Sequence, residues 1–143
     1  MDHVAIMKKS WGLTQKILSG EKKIESRWYK TKHSPWGKIK RGDTIYFKDA
    51  GQPVSIKAWV EKTIHFSDLV PNKARKILHT YGKDDGISKD RISYFYKLFK
   101  DKRYCILIFL KNPRKVKSFT IDKRGFGMQA AWLTVKNINR IQN

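Results

Sequence analysis

Residues 20–27 read G-E-K-K-I-E-S-R, and the reading of this octapeptide decides the fold. Gly20 ends a short amphipathic segment, and a strand follows in which Lys23, Glu25 and Arg27 recur with period two. Side chains on a strand alternate between faces, so these three charges point one way and Ile24, Ser26 and Trp28 the other. Opposite charges side by side on a core-building strand suit either a polar pocket floor or a solvent-facing ion-pair stripe.

The flanks are strand-rich. Residues 3–7 (H-V-A-I-M) predict a first strand, and Ser10 is placed to cap a helix over 11–19 with Leu13, Ile17 and Leu18 facing inward. Gly20 then occupies the position where a helix end takes a left-handed residue. The charged strand spans 22–29 and leads into a basic loop, 30–41, holding Pro35, Trp36 and Gly37. Gly42 and Asp43 turn into a strand over 44–48. Residues 51–53 turn again into a strand over 54–64, where Val54, Ile56, Ala58 and Val60 share a face.

The middle of the chain predicts two helices. One spans 72–81 and ends at Gly82; Ser88 caps the other, whose Ile92, Phe95, Tyr96 and Phe99 follow helical spacing and read as core. Asp84 and Asp85 lie between them and read as turn residues rather than metal ligands. Strands resume over 103–111, 116–121 and 132–135. Strands at both ends, an early helix, a helical insert and no βαβ rhythm predict an α+β fold, a small mixed or antiparallel β-barrel. No repeat or linker divides the chain, so residues 1–143 read as one domain.

Composition narrows the partners. Hydrophobic residues make up 40% of the chain, enough for a core and too many for a disordered basic tail. Lys and Arg number 32 against 12 acids, a formal charge of +20 that repels itself in any compact state. An acidic partner accounts for it: RNA first, DNA second, ahead of an anionic membrane surface, and no membrane partner is expected. Cys105 is the only cysteine and lies in Y-C-I-L-I-F-L, a strand buried on both faces, so it reads as an inert core thiol. That apolar run is too short to cross a bilayer, and the first nine residues lack a signal peptide's long apolar stretch. A soluble cytoplasmic protein is expected. His3, His33, His65 and His79 form no ligand spacing, so neither a metal nor a cofactor is expected.

The order A-I-M, I-L-S-G, E-K-K-I-E-S-R, G-D-T-I-Y-F resembles the ASCH (activating signal cointegrator homology) family. Its hallmark, G-x-K-x-x-E-x-R, falls here on Gly20, Lys22, Glu25 and Arg27, with the G-D turn at Gly42 and Asp43. The match is specific over residues 4–60, and A-A-W-L-T-V fits the closing strand. The resemblance implies a PUA-like β-barrel with a cleft beside the motif. It also implies RNA biology, since PUA, EVE and YTH relatives bind RNA or modified bases. Some ASCH-like proteins deacetylate N4-acetylcytidine through a lysine, a threonine and a glutamate, and others are described as ribonucleases. Lys22 matches that lysine, Glu25 stands in the threonine position, and Glu61 is the nearest acid for the glutamate.

Two readings of function stay open. The leading one is nucleic-acid binding with a base pocket at the motif: Lys22, Glu25 and Arg27 face the base, and cations interleaved with aromatics hold the strand. The cations and rings are Lys8, Lys9 and Trp11, then Lys30, Lys32, Trp36, Lys38, Lys40 and Arg41, and further on Lys115 and Lys117. Trp28 and Trp59 are expected to be buried, Trp11 and Trp36 exposed. Gly125, Phe126, Gly127, Met128 and Gln129 are expected to wall the same cleft. The alternative is an enzyme on RNA or modified nucleosides, an amidohydrolase or ribonuclease using Lys22 and Glu25. A neighbouring glutamate raises a lysine's pKa, which opposes that use.

Overall fold

Alternating apolar residues build one six-stranded sheet. In the computed structural model, which describes residues 1–127 and 129–143, the strands are β1 (Asp2–Met7), β2 (Ile24–Tyr29), β3 (Thr44–Asp49), β4 (Val54–Phe66), β5 (Tyr104–Phe119) and β6 (Trp132–Val135). Helix α1 (Leu13–Ser19) follows β1, while α2 (Pro71–Tyr81) and α3 (Ile92–Phe99) form an insert between β4 and β5. The spatial order is β2-β5-β4-β3-β1-β6, antiparallel except for the parallel β1–β3 pair. The sheet curls into a half-barrel whose edges are β2 and β6. The α+β, PUA-like expectation holds.

Strand β5 explains why its sequence is continuously apolar. Cys105 and Leu107 pack with Ile24, Trp28, Leu78 and Phe95 beneath the insert. Ile106, Ile108 and Leu110 pack on the other face with Ala5, Ile45, Phe47 and Val60. Both faces are covered, so alternation disappears. Burial pushes the Cys105 thiol well above its ordinary pKa, in keeping with an inert role. A third cluster, with Val4, Leu133, Val135 and Ile141, seats the C-terminal turn.

Several element boundaries differ from expectation for local reasons. Ser10 caps nothing: Lys9–Trp11 form a 3₁₀ turn, and Gly12, at φ 65°, separates it from α1. Ser88 likewise makes no side-chain cap, since a 3₁₀ turn at Lys89–Arg91 precedes α3. The strands expected over 103–111 and 116–121 are the single β5; Asn112 adopts φ 54° in a bulge that absorbs the extra residues opposite β4. Strand β2 starts at Ile24 because the amides of Lys23 and Ile24 both donate to Asp84 O, at 2.6 and 2.9 Å, drawing the chain off the ladder.

His3 ties β1 to both its neighbours. The fully buried ring donates from Nε2 to Asp43 Oδ2 at 2.8 Å, and its Nδ1 accepts from Trp132 Nε1 at 3.1 Å. An indole N–H only donates, so Nδ1 is bare and the ring neutral. Burial lowers the His3 pKa and outweighs the pull of Asp43. Above about pH 6.5 folded and unfolded chains are both neutral here; below it the unfolded chain takes the proton that buried His3 resists, so stability falls. Urea midpoints of the wild type should therefore drop more between about pH 7.5 and pH 5.5 than those of His3→Gln. Equal drops would refute this account.

Candidate nucleic-acid interface

Because β2 begins only at Ile24, the side chain that turns inward beside Glu25 is Lys22; Lys23, expected on that face, is exposed. Lys22 Nζ donates to Ile24 O at 2.6 Å, Asp85 O at 2.7 Å and Asp85 Oδ1 at 2.5 Å, with Glu25 Oε1 at 3.3 Å. An ammonium has three protons, and these acceptors use them all. Glu25 Oε2 accepts from Arg27 at 2.9 Å. Asp85 Oδ2 accepts from Ser26 Oγ at 2.6 Å, and Ser26 Oγ accepts from Trp28 Nε1 at 3.1 Å. Two cations meet two carboxylates, and the formal charges cancel.

Burial disfavours charge at each of these sites, yet partners reverse it at two of them. Burial would lower the Lys22 pKa, but Asp85 and Glu25 hold it above the ordinary lysine value. Burial would raise Glu25, but Lys22 and Arg27 hold it below the usual carboxylate range. At Asp85 burial wins, with Glu25 repelling it and Lys22 opposing, so its pKa is raised. Lys22 is thus a permanently charged strut. It has no free electron pair with which to attack a substrate.

Arg27 spans the open side of the half-barrel. It donates to Ala131 O at 3.2 Å, just before β6, and to Ile6 O on β1 at 3.4 Å. Its guanidinium lies 5.1 Å from the Trp132 ring centre. Beside it, β2 presents a free edge. Leu110 N donates to Lys23 O, and Glu25 stands opposite Ile108, so odd residues bond to β5. Ser26 and Trp28 therefore turn their backbone amides and carbonyls toward the open side.

A cavity of about 330 Å³ lies along that edge. Its floor is the polar set Lys22, Glu25, Ser26, Arg27 and Asp85; its walls are rings from Trp11, Trp28, Tyr29, Phe95 and Phe99. Trp28 stacks on Phe99 with centroids 4.7 Å apart, and Trp11 meets Phe95 edge-on at 5.0 Å. The α3 stripe, expected as core, is both core and wall. Burial pushes the Tyr29 hydroxyl up to about 12, and it donates to Ser34 O at 2.8 Å.

Of the expected site residues, the cavity gathers Lys8, Trp11, Lys22, Glu25 and Arg27. All three Lys22 protons are taken by Ile24 and Asp85, which makes it a support for Glu25 rather than a contact of its own. Lys9, Lys30, Lys32, Lys38, Lys40 and Arg41 are exposed but line no part of it. Trp36, expected to be exposed, is half-buried edge-on to His65 at 4.7 Å and Tyr104 at 5.4 Å, with the Lys32 ammonium 5.6 Å from its ring. Trp59, expected to be buried, is half-buried on the face of β4 opposite Ala58, flanked by Lys57 and Arg114 at 5.1 and 5.0 Å. Lys115 pairs opposite Ile56 toward the far end of β5, and neither it nor Lys117 lines the cavity. Glu61 is exposed at a β4 register shift, also outside.

Phe126 and Gln129, expected on the same cleft, line a second cavity of about 400 Å³ that shares Arg27, Tyr29 and Ala131 with the first. Met128 lies outside the described residues. Asp85, expected to serve only the turn, is the counter-ion of Lys22. A buried lysine demands such an acid, and D-D in the insert was the available signal. Among the described residues no three His, Cys, Asp or Glu side chains gather as a metal site. Nor is any described helix long and apolar enough to cross a membrane.

A curled mixed sheet with an early helix and a helical insert between β4 and β5 makes a PUA-like α+β fold. More narrowly, the fold is that of the ASCH domain. A mutant of the ASCH protein from Zymomonas mobilis superposes with a TM-score of 0.69 at 13% identity, covering 97% of this chain and 93% of that one. The unmutated Zymomonas mobilis ASCH gives 0.66 at 13%, over 94% and 87%. The N-terminal domain of McrB from Staphylothermus marinus gives 0.51 at 19%, over 81% and 74%. No protein-family model and no curated protein matches the sequence.

Removing Asp85 strands a buried ammonium, so Asp85→Ala should destabilise the fold by about 3–5 kcal/mol in urea titrations. The double variant Lys22→Met/Asp85→Leu should recover more than half of that loss. An Asp85→Ala change below about 1 kcal/mol would show that the pair is not the strut described.

Proposed function

We propose that residues 1–143 form one nucleic-acid-binding domain that seats an unpaired base, RNA in preference to DNA, in the cavity along β2. The observation that carries this reading is the Glu25–Arg27 pair held at the bottom of an aromatic-walled pocket in a chain of charge +20. Flat walls favour a flat ligand, and the volume is of the size that small-molecule sites use. Glu25 stays ionised and spends one oxygen on Arg27 and the other on Lys22, yet each carboxylate oxygen has a second lone pair. It accepts from an exocyclic amine or ring N–H of the base. A base without such a donor leaves that acceptor dry, which is where selectivity arises.

The ASCH fold supports the same reading, because PUA-like domains as a class contact nucleic acid. The exposed lysines of residues 30–41 supply phosphate contacts without sequence preference. Hydrolysis through Lys22 is the weaker reading: a lysine whose protons are all engaged, beside two carboxylates, is a poor nucleophile or base. Acetylated cytidine and labelled RNA should both survive incubation with the protein intact.

Fluorescence anisotropy with short single-stranded RNAs tests the proposal. With about six phosphates engaged, affinity should fall on the order of several hundredfold between about 50 and 200 mM salt. Glu25→Gln should change the ranking of bases, while Lys38→Ala should weaken all sequences alike, by severalfold. No RNA affinity at low salt would overturn the proposal.

A further inference from the structure

Two cavities meet at Arg27, and their electrostatics differ. The first holds both carboxylates of the quartet, Glu25 and Asp85, on its floor, a poor place for a phosphate. The second, of about 400 Å³, is lined by Tyr29, His33, Ser34, Phe126, Gln129 and Trp132 with Arg27, and by no carboxylate at all among the described residues. Its size exceeds what a phosphate alone would fill, and its walls again include rings. Phe126 is half-buried, whereas Trp132 is buried and already carries Arg27 on its ring.

Arg27 itself forms the partition. Its hydrogen bonds run from Nη1 to Ala131 O and from Nη2 to Glu25 Oε2, Ile6 O and Met7 Sδ. A guanidinium has five N–H donors, so among the described residues Nε–H and the second Nη1 proton remain to offer an anion. Arg27 therefore stands between an acid-free aromatic chamber and the two carboxylates whose charge it and Lys22 balance.

We propose that the second cavity is the seat of the adjacent nucleotide, so that the unit recognised is a dinucleotide whose linking phosphate crosses Arg27. This rests on the base-pocket reading above and extends it. The first base lies in the carboxylate-floored cavity. The second stacks on Phe126 beside Tyr29, and the Gln129 amide supplies one donor and one acceptor to its edge.

Calorimetric titration of the intact chain with nucleosides, nucleoside monophosphates and dinucleoside monophosphates of the four bases tests this. The preferred dinucleotide should bind about tenfold or more tighter than the corresponding mononucleotide. Phe126→Leu keeps apolar bulk against its cluster but removes the flat ring. It should erase that gain and leave mononucleotide affinity unchanged, while Phe126→Tyr retains the gain. If mononucleotides bind and dinucleotides gain nothing, or if Phe126→Leu keeps the full gain, the second seat is refuted and the base pocket stands. If neither mononucleotides nor dinucleotides bind, the base pocket itself falls, and this proposal with it.

Discussion

A lysine with all three protons inside a protein needs counter-ions within reach, and Lys22 draws them from two directions. Glu25 comes from the strand that begins just after it and Asp85 from the insert 63 residues away, so one ammonium joins β2 to the loop between α2 and α3. Gly86 makes the approach feasible. At φ +80° it lies so close that a Cβ there would sit 3.2 Å from the Lys22 Cβ and 3.3 Å from its Cγ and Cδ. The backbone of the insert rests directly on the lysine stem. The cavity floor is therefore set by tertiary structure, and the strand alone would not define it.

The same economy governs the rest of the site. Arg27 answers Glu25 on one side and holds the facing backbone carbonyls on the other, so the guanidinium that balances the carboxylate also spans the unclosed sheet. Above it, α3 fills the insert's core with Phe95 and leaves that ring, with Phe99, facing the cavity. Hydrophobic packing and cavity wall are one set of side chains seen from two sides. His3 plays a quieter part, fixing Trp132, on which Arg27 lies, through its bare ring nitrogen.

Much of this was legible in the chain. Period-two spacing marked β2 and β4, and the continuous apolar run of β5 announced a strand covered on both faces. Spacing put Glu25 and Arg27 on one face but left open whether that face was a pocket floor or a solvent-facing stripe. What spacing could not tell was where the ladder stops. Two amides captured by Asp84 pull residues 22 and 23 out of the strand, and that local event exchanges Lys23 for Lys22 on the inner face. Nor could periodicity identify Asp85, whose role depends on a contact across 63 residues. Asn112 and Pro113 looked like a break between strands, but a left-handed asparagine in a bulge lets the strand continue through them.

The unpaired flank of β2 has a meaning beyond the cavity it borders. A bare sheet margin is a template onto which another chain's strand can add, the route by which many proteins associate indiscriminately. Here that margin is sunk behind the rings of α3 and the loop at Asp85 and Ile87. Its main-chain groups stand in a recess, which leaves less room for a second strand alongside than an open margin would. The recess thus acts as a guard against self-association.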